Sequence, residues 1–255
     1  MLFKANAYLK YFFKTLNQHS IKSTYISDLI SNCFRKKSVT QITLNYKQQL
    51  LNNKKSINVT DFGAGSKVFI SNTRQISKIA KYAGISNKRT QILHNLIDYL
   101  KPNTVLEIGT SLGIATSVLS NGNRNSIITT LEGCPETARI AQQQFNQFNL
   151  KNINIIIGDF KDTLPKATQN KGYDFIYFDG NHQKKATLEY FNLCLTTINN
   201  NSVFIFDDIH WSKEMEEAWE EVKQHPKVTV TIDTFQWGIL FFRKELEKQH
   251  LTIRV

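Results

Sequence analysis

The stretch Thr104-Val-Leu-Glu107-Ile-Gly109-Thr-Ser-Leu-Gly113 decides how this chain is read. An apolar β run, Thr104–Ile108, carries an acid near its end and opens into a turn set by Gly109 and Gly113. Glycine at such a turn admits positive φ and lets a ligand approach the main chain closely. A helical stretch, Ile114–Leu119, comes next, then a second β run, Ser126–Leu131, ending in Glu132. An acid about twenty residues after the glycine turn sits where a nucleotide fold places its acceptor for ribose hydroxyls.

Working outward, strand and helix alternate. Pro135–Phe148 reads as helix, Ile153–Ile157 as strand followed by a polar loop, Tyr173–Phe178 as strand and Lys184–Thr197 as helix. Ser202–Phe206 is a strand, Lys213–Gln224 a helix, and Val228–Asp233 and Gly238–Arg243 are strands. This alternation predicts parallel strands joined by helical crossovers: an α/β, doubly wound, mostly parallel seven-stranded sheet. The link between the last two strands is too short for a crossover, so they should pair antiparallel.

Residues 1–100 read as helical. Leu2, Phe3, Leu9, Phe12, Phe13 and Leu16 fall near one helical stripe, expected to pack on the protein or on a second copy. Tyr25–Phe34, Ile42–Leu51, Arg74–Ala83 and Lys88–Leu100 are further helices. The expected organisation is a basic N-terminal extension over 1–100 and an α/β domain over 101–255. The first part holds 16 Lys/Arg against three acids, the second 16 against 18, so the whole net charge of +11 comes from the first part. An anionic partner such as nucleic acid is one reading of that excess. Lysines spread along solvated helices are the favoured one.

With 255 residues and 41% hydrophobic content, the chain supports a real core. No apolar run approaches the ~18–20 residues of a membrane span. Lys4, Lys10 and Lys14 interrupt the N-terminal apolar residues, which argues against a signal peptide. Cys33, Cys134 and Cys194 form no CxxC pair, which fits a reducing, cytoplasmic setting.

A second glycine turn, Ile57-Asn-Val-Thr-Asp61-Phe-Gly63-Ala-Gly65-Ser66, imitates the first. No strand ending in an acid comes after it, so it is expected to be a structural turn. Its polar residues Asp61, Ser66 and Lys67 leave open that it folds over the site.

Residues Thr104–Arg243 resemble class I S-adenosylmethionine-dependent methyltransferases, most of all the small-molecule and sugar O-methyltransferase branches. The resemblance implies that Glu107, Gly109, Thr110, Ser111 and Gly113 cradle the cofactor. It implies that Glu132 holds the ribose hydroxyls, and that Asp159, in Gly158-Asp159-Phe160, stands by the adenine. A sulfonium ligand without phosphates needs carboxylates, Glu107 and Asp179 among them, and no phosphate loop. The alternative for Glu107 is a helix cap.

Acids cluster at two strand ends: Asp179-Gly-Asn-His182 and Asp207-Asp208-Ile-His210-Trp211. Strand carboxyl ends line the ligand crevice of such a sheet. Three carboxylates share one crevice cheaply only if a cation neutralises them or some stay protonated, and Asp179, Asp207 and Asp208 are candidate ligands for Mg²⁺ or another divalent ion. His182 is the candidate general base, with Asp179 as its catalytic partner. The alternative makes Asp207 a helix cap and His182 a loop-bonding residue. The strand end also lacks the Asn/Asp-Pro-Pro-Tyr/Phe motif of amino-group methyltransferases, which points to an oxygen acceptor.

The expected function is methyl transfer to a hydroxyl of a small or sugar-like acceptor by a cytoplasmic enzyme, with a homodimer as one arrangement. An RNA or protein methyltransferase is the next reading, and a non-catalytic scaffold the third.

Overall fold

The computed structural model describes residues 2–15, 21, 23–36, 38, 40–63, 65 and 68–255. In chain order it forms helices α1 (Leu2–Lys14), α2 (Thr24–Cys33) and α3 (Gln41–Asn52), strands β1 (Ser56–Asn58) and β2 (Thr73–Gln75), and helices α4 (Ile76–Tyr82) and α5 (Asn87–Leu100). Then come β3 (Thr104–Ile108), α6 (Ile114–Gly122), β4 (Ile127–Glu132), α7 (Pro135–Gln147), β5 (Ile153–Ile157) and α8 (Phe160–Thr168). The chain continues with β6 (Phe175–Phe178), α9 (Lys184–Cys194), β7 (Val203–Asp207), α10 (Lys213–Gln224), β8 (Val230–Asp233), β9 (Trp237–Phe241) and β10 (Gln249–Thr252).

The main sheet has the order β10-β8-β9-β7-β6-β3-β4-β5. β3, β4, β5, β6 and β7 run parallel, and β9 is antiparallel to both β7 and β8. The expected closing antiparallel pair is therefore present. The sheet has eight strands where seven were expected. The extra one, β10, adds parallel to β8 at the edge. Its residues Gln249, His250 and Thr252 stay partly or fully exposed, so only Leu251 carries an apolar signal.

Side-chain alternation divides the core. Val105, Phe175, Tyr177, Val203 and Ile205 face the layer of α2, α5 and α6, while Leu106, Ile108, Ile176, Phe178, Phe204 and Phe206 face α8, α9 and α10. A third cluster, built on Tyr46, Leu50, Ile76, Ile79, Leu112 and Phe145, ties α3 and α4 to α6 and α7.

Three local expectations need correction. The loop after β5 contains α8, despite Pro165 inside it, and Asp159 caps its N-terminus. The predicted helix from Arg74 begins at Ile76, because 73–75 pair with 56–58 as β2 on β1. The α1 stripe is not the buried face. Ala7 and Tyr11 are buried, whereas Leu9, Phe12 and Phe13 are exposed, Phe13 by 81%. Tyr11 donates from its hydroxyl to the Ile253 carbonyl at 2.6 Å and packs with Tyr8 on Phe235. Leu16, and Ser66 and Lys67 of the first turn, lie outside the described residues. Among the described residues, no helix is long and apolar enough to cross a membrane.

Candidate functional site

β4 lies on one side of β3 and β6 on the other, so the direction of winding reverses between β3 and β6. Ligands of doubly wound sheets bind at this point, outside the strand carboxyl ends. Gly109 sits there with φ +107°, and a Cβ on it would collide with the Asp179 main-chain carbonyl. The Gly109 and Thr110 amides are fixed by bonds to the Leu131 carbonyl at 3.0 and 3.1 Å. Gly113, at φ +76°, starts α6 under the rings of Tyr46 and Phe145.

The space in front of Gly109 is a cavity of about 320 Å³, at the lower end of the ~300–1,000 Å³ found for small-molecule sites. Its walls include Gly109, Ser111, Glu132, Asp159, Asp179, His182 and Asp208. The bare main chain at Gly109 and the strand-end acids fit a ligand with a cationic centre and sugar hydroxyls. Glu132 accepts the Ser111 amide at 2.6 Å and the Cys134 amide at 2.8 Å. Burial raises its pKa, and those amide bonds pull the other way. Asp159 accepts the Lys161 amide at 3.0 Å and pairs with its ammonium at 3.3 Å.

Glu107, Thr110 and Gly113 stand outside the cavity wall. Glu107 points beneath the turn, fully buried. One oxygen accepts the hydroxyls of Thr116 at 2.5 Å and Thr130 at 2.6 Å, and the other has no partner. Burial lifts its pKa to about 8, against the pull of the two hydroxyls. Its place is under the loop, which it supports through these bonds. Thr110 bonds Thr130 and the Leu131 carbonyl and borders a small neighbouring cavity.

The first glycine turn closes over the same cavity. Val59, Asp61, Phe62, Gly63 and Gly65 line it together with Val68, Phe69 and Arg74. Phe62 lies against Gly133, next to Glu132. Asp61 pairs with Arg74 at 3.3 Å, tying the turn to β2. Val59, Phe62, Val68, Phe69, Ile79, Tyr82 and Trp211 make part of the wall apolar and aromatic.

The acids of β6 and β7 converge. Phe178 pairs with Phe206, so Asp179 and Asp207 leave adjacent strands side by side. Burial and the neighbouring Asp207 push Asp179 well above the usual aspartate range, and Asp208 rises for the same two reasons. His182 Nε2 stands 3.8 Å from Asp179 Oδ1. Asp208 and Trp211 line the cavity, while His210 is turned away and bonds Asp233 at 2.9 Å. The cap of the following helix is Ser212, not Asp207.

The expected metal ligands Asp179, Asp207 and Asp208 share their crevice with a basic side chain. Arg89, from α5, binds Asp207 at 2.6 Å, with side chains only 19% and 7% exposed. The crevice thus holds one built-in cation, paired with Asp207. Among the described residues, no group of three or more His, Cys, Asp or Glu side chains is arranged to hold a metal ion. Sequence alone puts Arg89 with the solvated basic residues. Its place in Ser86-Asn-Lys-Arg-Thr90, one turn into an amphipathic helix, carries no sign of burial.

Residues 106–209 match the family model described as a methyltransferase domain. Among solved structures, the chain is similar to the S-adenosylhomocysteine-bound methyltransferase PaMTH1 of Podospora anserina, with TM-score 0.65, 14% identity, and 88% of this chain and 97% of that one covered. It is similar to an O-methyltransferase of Bacillus cereus in complex with S-adenosylhomocysteine, with TM-score 0.59, 19% identity, and 87% and 98% covered. It is also similar to TomG of Streptomyces achromogenes, an O-methyltransferase of tomaymycin synthesis, with TM-score 0.55, 17% identity, and 62% and 81% covered. In sequence, a stretch of 72 residues is 35% identical to a tRNA (guanine-N(7)-)-methyltransferase of Mycoplasma mobile, covering 28% of this chain. The match spans about a third (35%) of that curated relative's length.

Proposed function

We propose that the protein is an S-adenosylmethionine-dependent methyltransferase acting on a hydroxyl oxygen of a small acceptor. One observation carries the reading: the Gly109 turn, the Glu132 carboxylate and the Asp179–His182 pair face a single cavity. When bound there, S-adenosylmethionine supplies an electrophilic methyl group. Gly109 and Ser111 leave the main chain open to it, Glu132 accepts from its hydroxyls, and Asp159 stands at its adenine end. Phe62, beside Gly133, covers the ligand from the side of the first glycine turn.

His182 takes the acceptor's proton on its imidazole ring, and Asp179 Oδ1, 3.8 Å from Nε2, lies beside that ring. Val59, Phe69, Ile79, Tyr82 and Trp211 exclude water and favour an acceptor with apolar surface. The O-methyltransferases among the similar structures support oxygen as the atom methylated. Residues 1–100 act as a cap that selects the acceptor, and 101–255 as the methyl-transfer domain. The three cysteines, buried and unpaired, support a cytoplasmic setting.

A second reading, methylation of RNA, draws on the likeness to the tRNA methyltransferase and on the net +13 of residues 1–100. Methyl-labelled S-adenosylmethionine, offered with a panel of hydroxylated small molecules and with total tRNA, separates the two. Label on a hydroxyl supports the first. Label on tRNA alone, with steeply salt-dependent binding, overturns it.

A further inference from the structure

We propose that Arg89 is the positioning residue of the acid cluster, the built-in cation that anchors Asp207 and lets Asp179 and Asp208 share the crevice where a divalent ion would otherwise be required. This rests on the methyltransferase reading only for what the cluster is used for; the charge balance stands on its own.

The mount of Arg89 is firm. Ser86 caps α5 by accepting the Arg89 amide at 3.3 Å. Lys47, from α3, braces the same end by donating to the Ile85 carbonyl at 2.7 Å and Asn87 Oδ1 at 3.0 Å. From there the guanidinium passes 5.9 Å from the Trp237 ring and ends on Asp207 Oδ1. It arrives from the α2–α5–α6 face of the sheet and is not part of the cavity wall. Its Nε is buried without a partner, and the one carboxylate within salt-bridge distance of the group is Asp207 among the described residues.

Buried charges persist when paired and are costly when one partner is removed. Asp207 is the last residue of β7 and lies beside Asp179, just past the end of β6. Asp208 follows in a left-handed conformation, φ +54°, which swings it to the cavity wall while Asp207 stays behind with Arg89. The pair thus sorts two adjacent acids into different places. One is neutralised within the fold, and one faces the ligand with His182.

A purely structural ion pair would affect stability alone; a charge-balancing one also governs cation uptake. Mn²⁺ binding by the full chain is therefore measured for wild type, Arg89→Met, Arg89→Lys and the double variant Arg89→Met/Asp207→Asn. Melting temperature and S-adenosylhomocysteine affinity are followed in parallel. Arg89→Met should bind Mn²⁺ at least about tenfold more tightly than wild type, the factor carried by one logarithmic step of affinity. Arg89→Lys should return toward wild type, and the double variant should lose the gain. If Arg89→Met folds poorly, added Mn²⁺ should raise its melting temperature while leaving wild type unmoved.

Equal Mn²⁺ affinity in wild type and Arg89→Met, or no metal rescue of a poorly folded variant, overturns the proposal. Loss of S-adenosylhomocysteine binding by wild type would instead overturn the methyltransferase reading, and leaves the Mn²⁺ comparison intact.

Discussion

Two glycine turns of similar lettering sit on opposite sides of one cavity. Asp61-Phe-Gly-Ala-Gly65 rides on a two-stranded hairpin outside the main sheet, and Glu107-Ile-Gly-Thr-Ser-Leu-Gly113 leaves the end of β3, an interior strand of that sheet. The difference lies in what each is mounted on. The second is held by parallel neighbours on both sides and by amide bonds to the Leu131 carbonyl. The first is held by a partly exposed ion pair, by the Thr60 amide on Cys134 Sγ and by packing of Phe62 on Gly133. A glycine turn gains a binding role from its mount, and the sequence reports the mount only through the helix, strand and acid that come after the turn.

The comparison can be broken by adding one methyl group to each turn. Gly109→Ala places a Cβ against the Asp179 carbonyl at positive φ. It should cost about 3 kcal/mol or more of stability and abolish ligand binding, read by denaturant unfolding and calorimetry. Gly65→Ala meets nothing within 4 Å among the described residues and carries the strain of φ +74°. It should cost about 1–2 kcal/mol at most. Equal losses at the two positions would remove the distinction.

Glu107 gives the next effect. Its folded pKa, about 8, lies above the ordinary 4.5, so the folded state binds the proton more tightly than the unfolded one. Stability from this group is complete below about 4.5 and is lost as pH rises towards 8. Glu107→Gln cannot ionise and should flatten that decline by a few kcal/mol, at order of magnitude. A pH series of unfolding free energies in which both proteins fall in parallel would place the carboxyl in water, not under the loop.

The smallest effect belongs to the first glycine turn. Arg74 and Asp61 are partly exposed. Asp61→Asn should cost about 0.2–1 kcal/mol of stability. A larger loss would mean that the hairpin is braced as firmly as the sheet.

Much of the fold is legible in the sequence. The β–α alternation from Thr104 onward shows because each strand is a short apolar run bounded by polar turns. The acids facing the cavity show because strand carboxyl ends converge whatever the loop details. Three features are less legible for physical reasons. β10 has one buried apolar residue in four, too little for a pattern. Pro165 hides α8, although proline in a short helix needs only one lost main-chain bond to be tolerated. Arg89 is hidden most completely, because a lone arginine in a basic segment looks the same whether it meets water or a carboxylate across 118 residues of chain.

Calorimetric titration of S-adenosylhomocysteine into wild type, Glu132→Ala and Asp61→Ala tests the central claim most directly. The account predicts that Glu132→Ala weakens binding by roughly 1–3 kcal/mol, the cost of leaving ligand hydroxyls unpaired, while Asp61→Ala changes it little. Binding abolished by Asp61→Ala and untouched by Glu132→Ala would contradict it, and would move the cofactor to the other glycine turn.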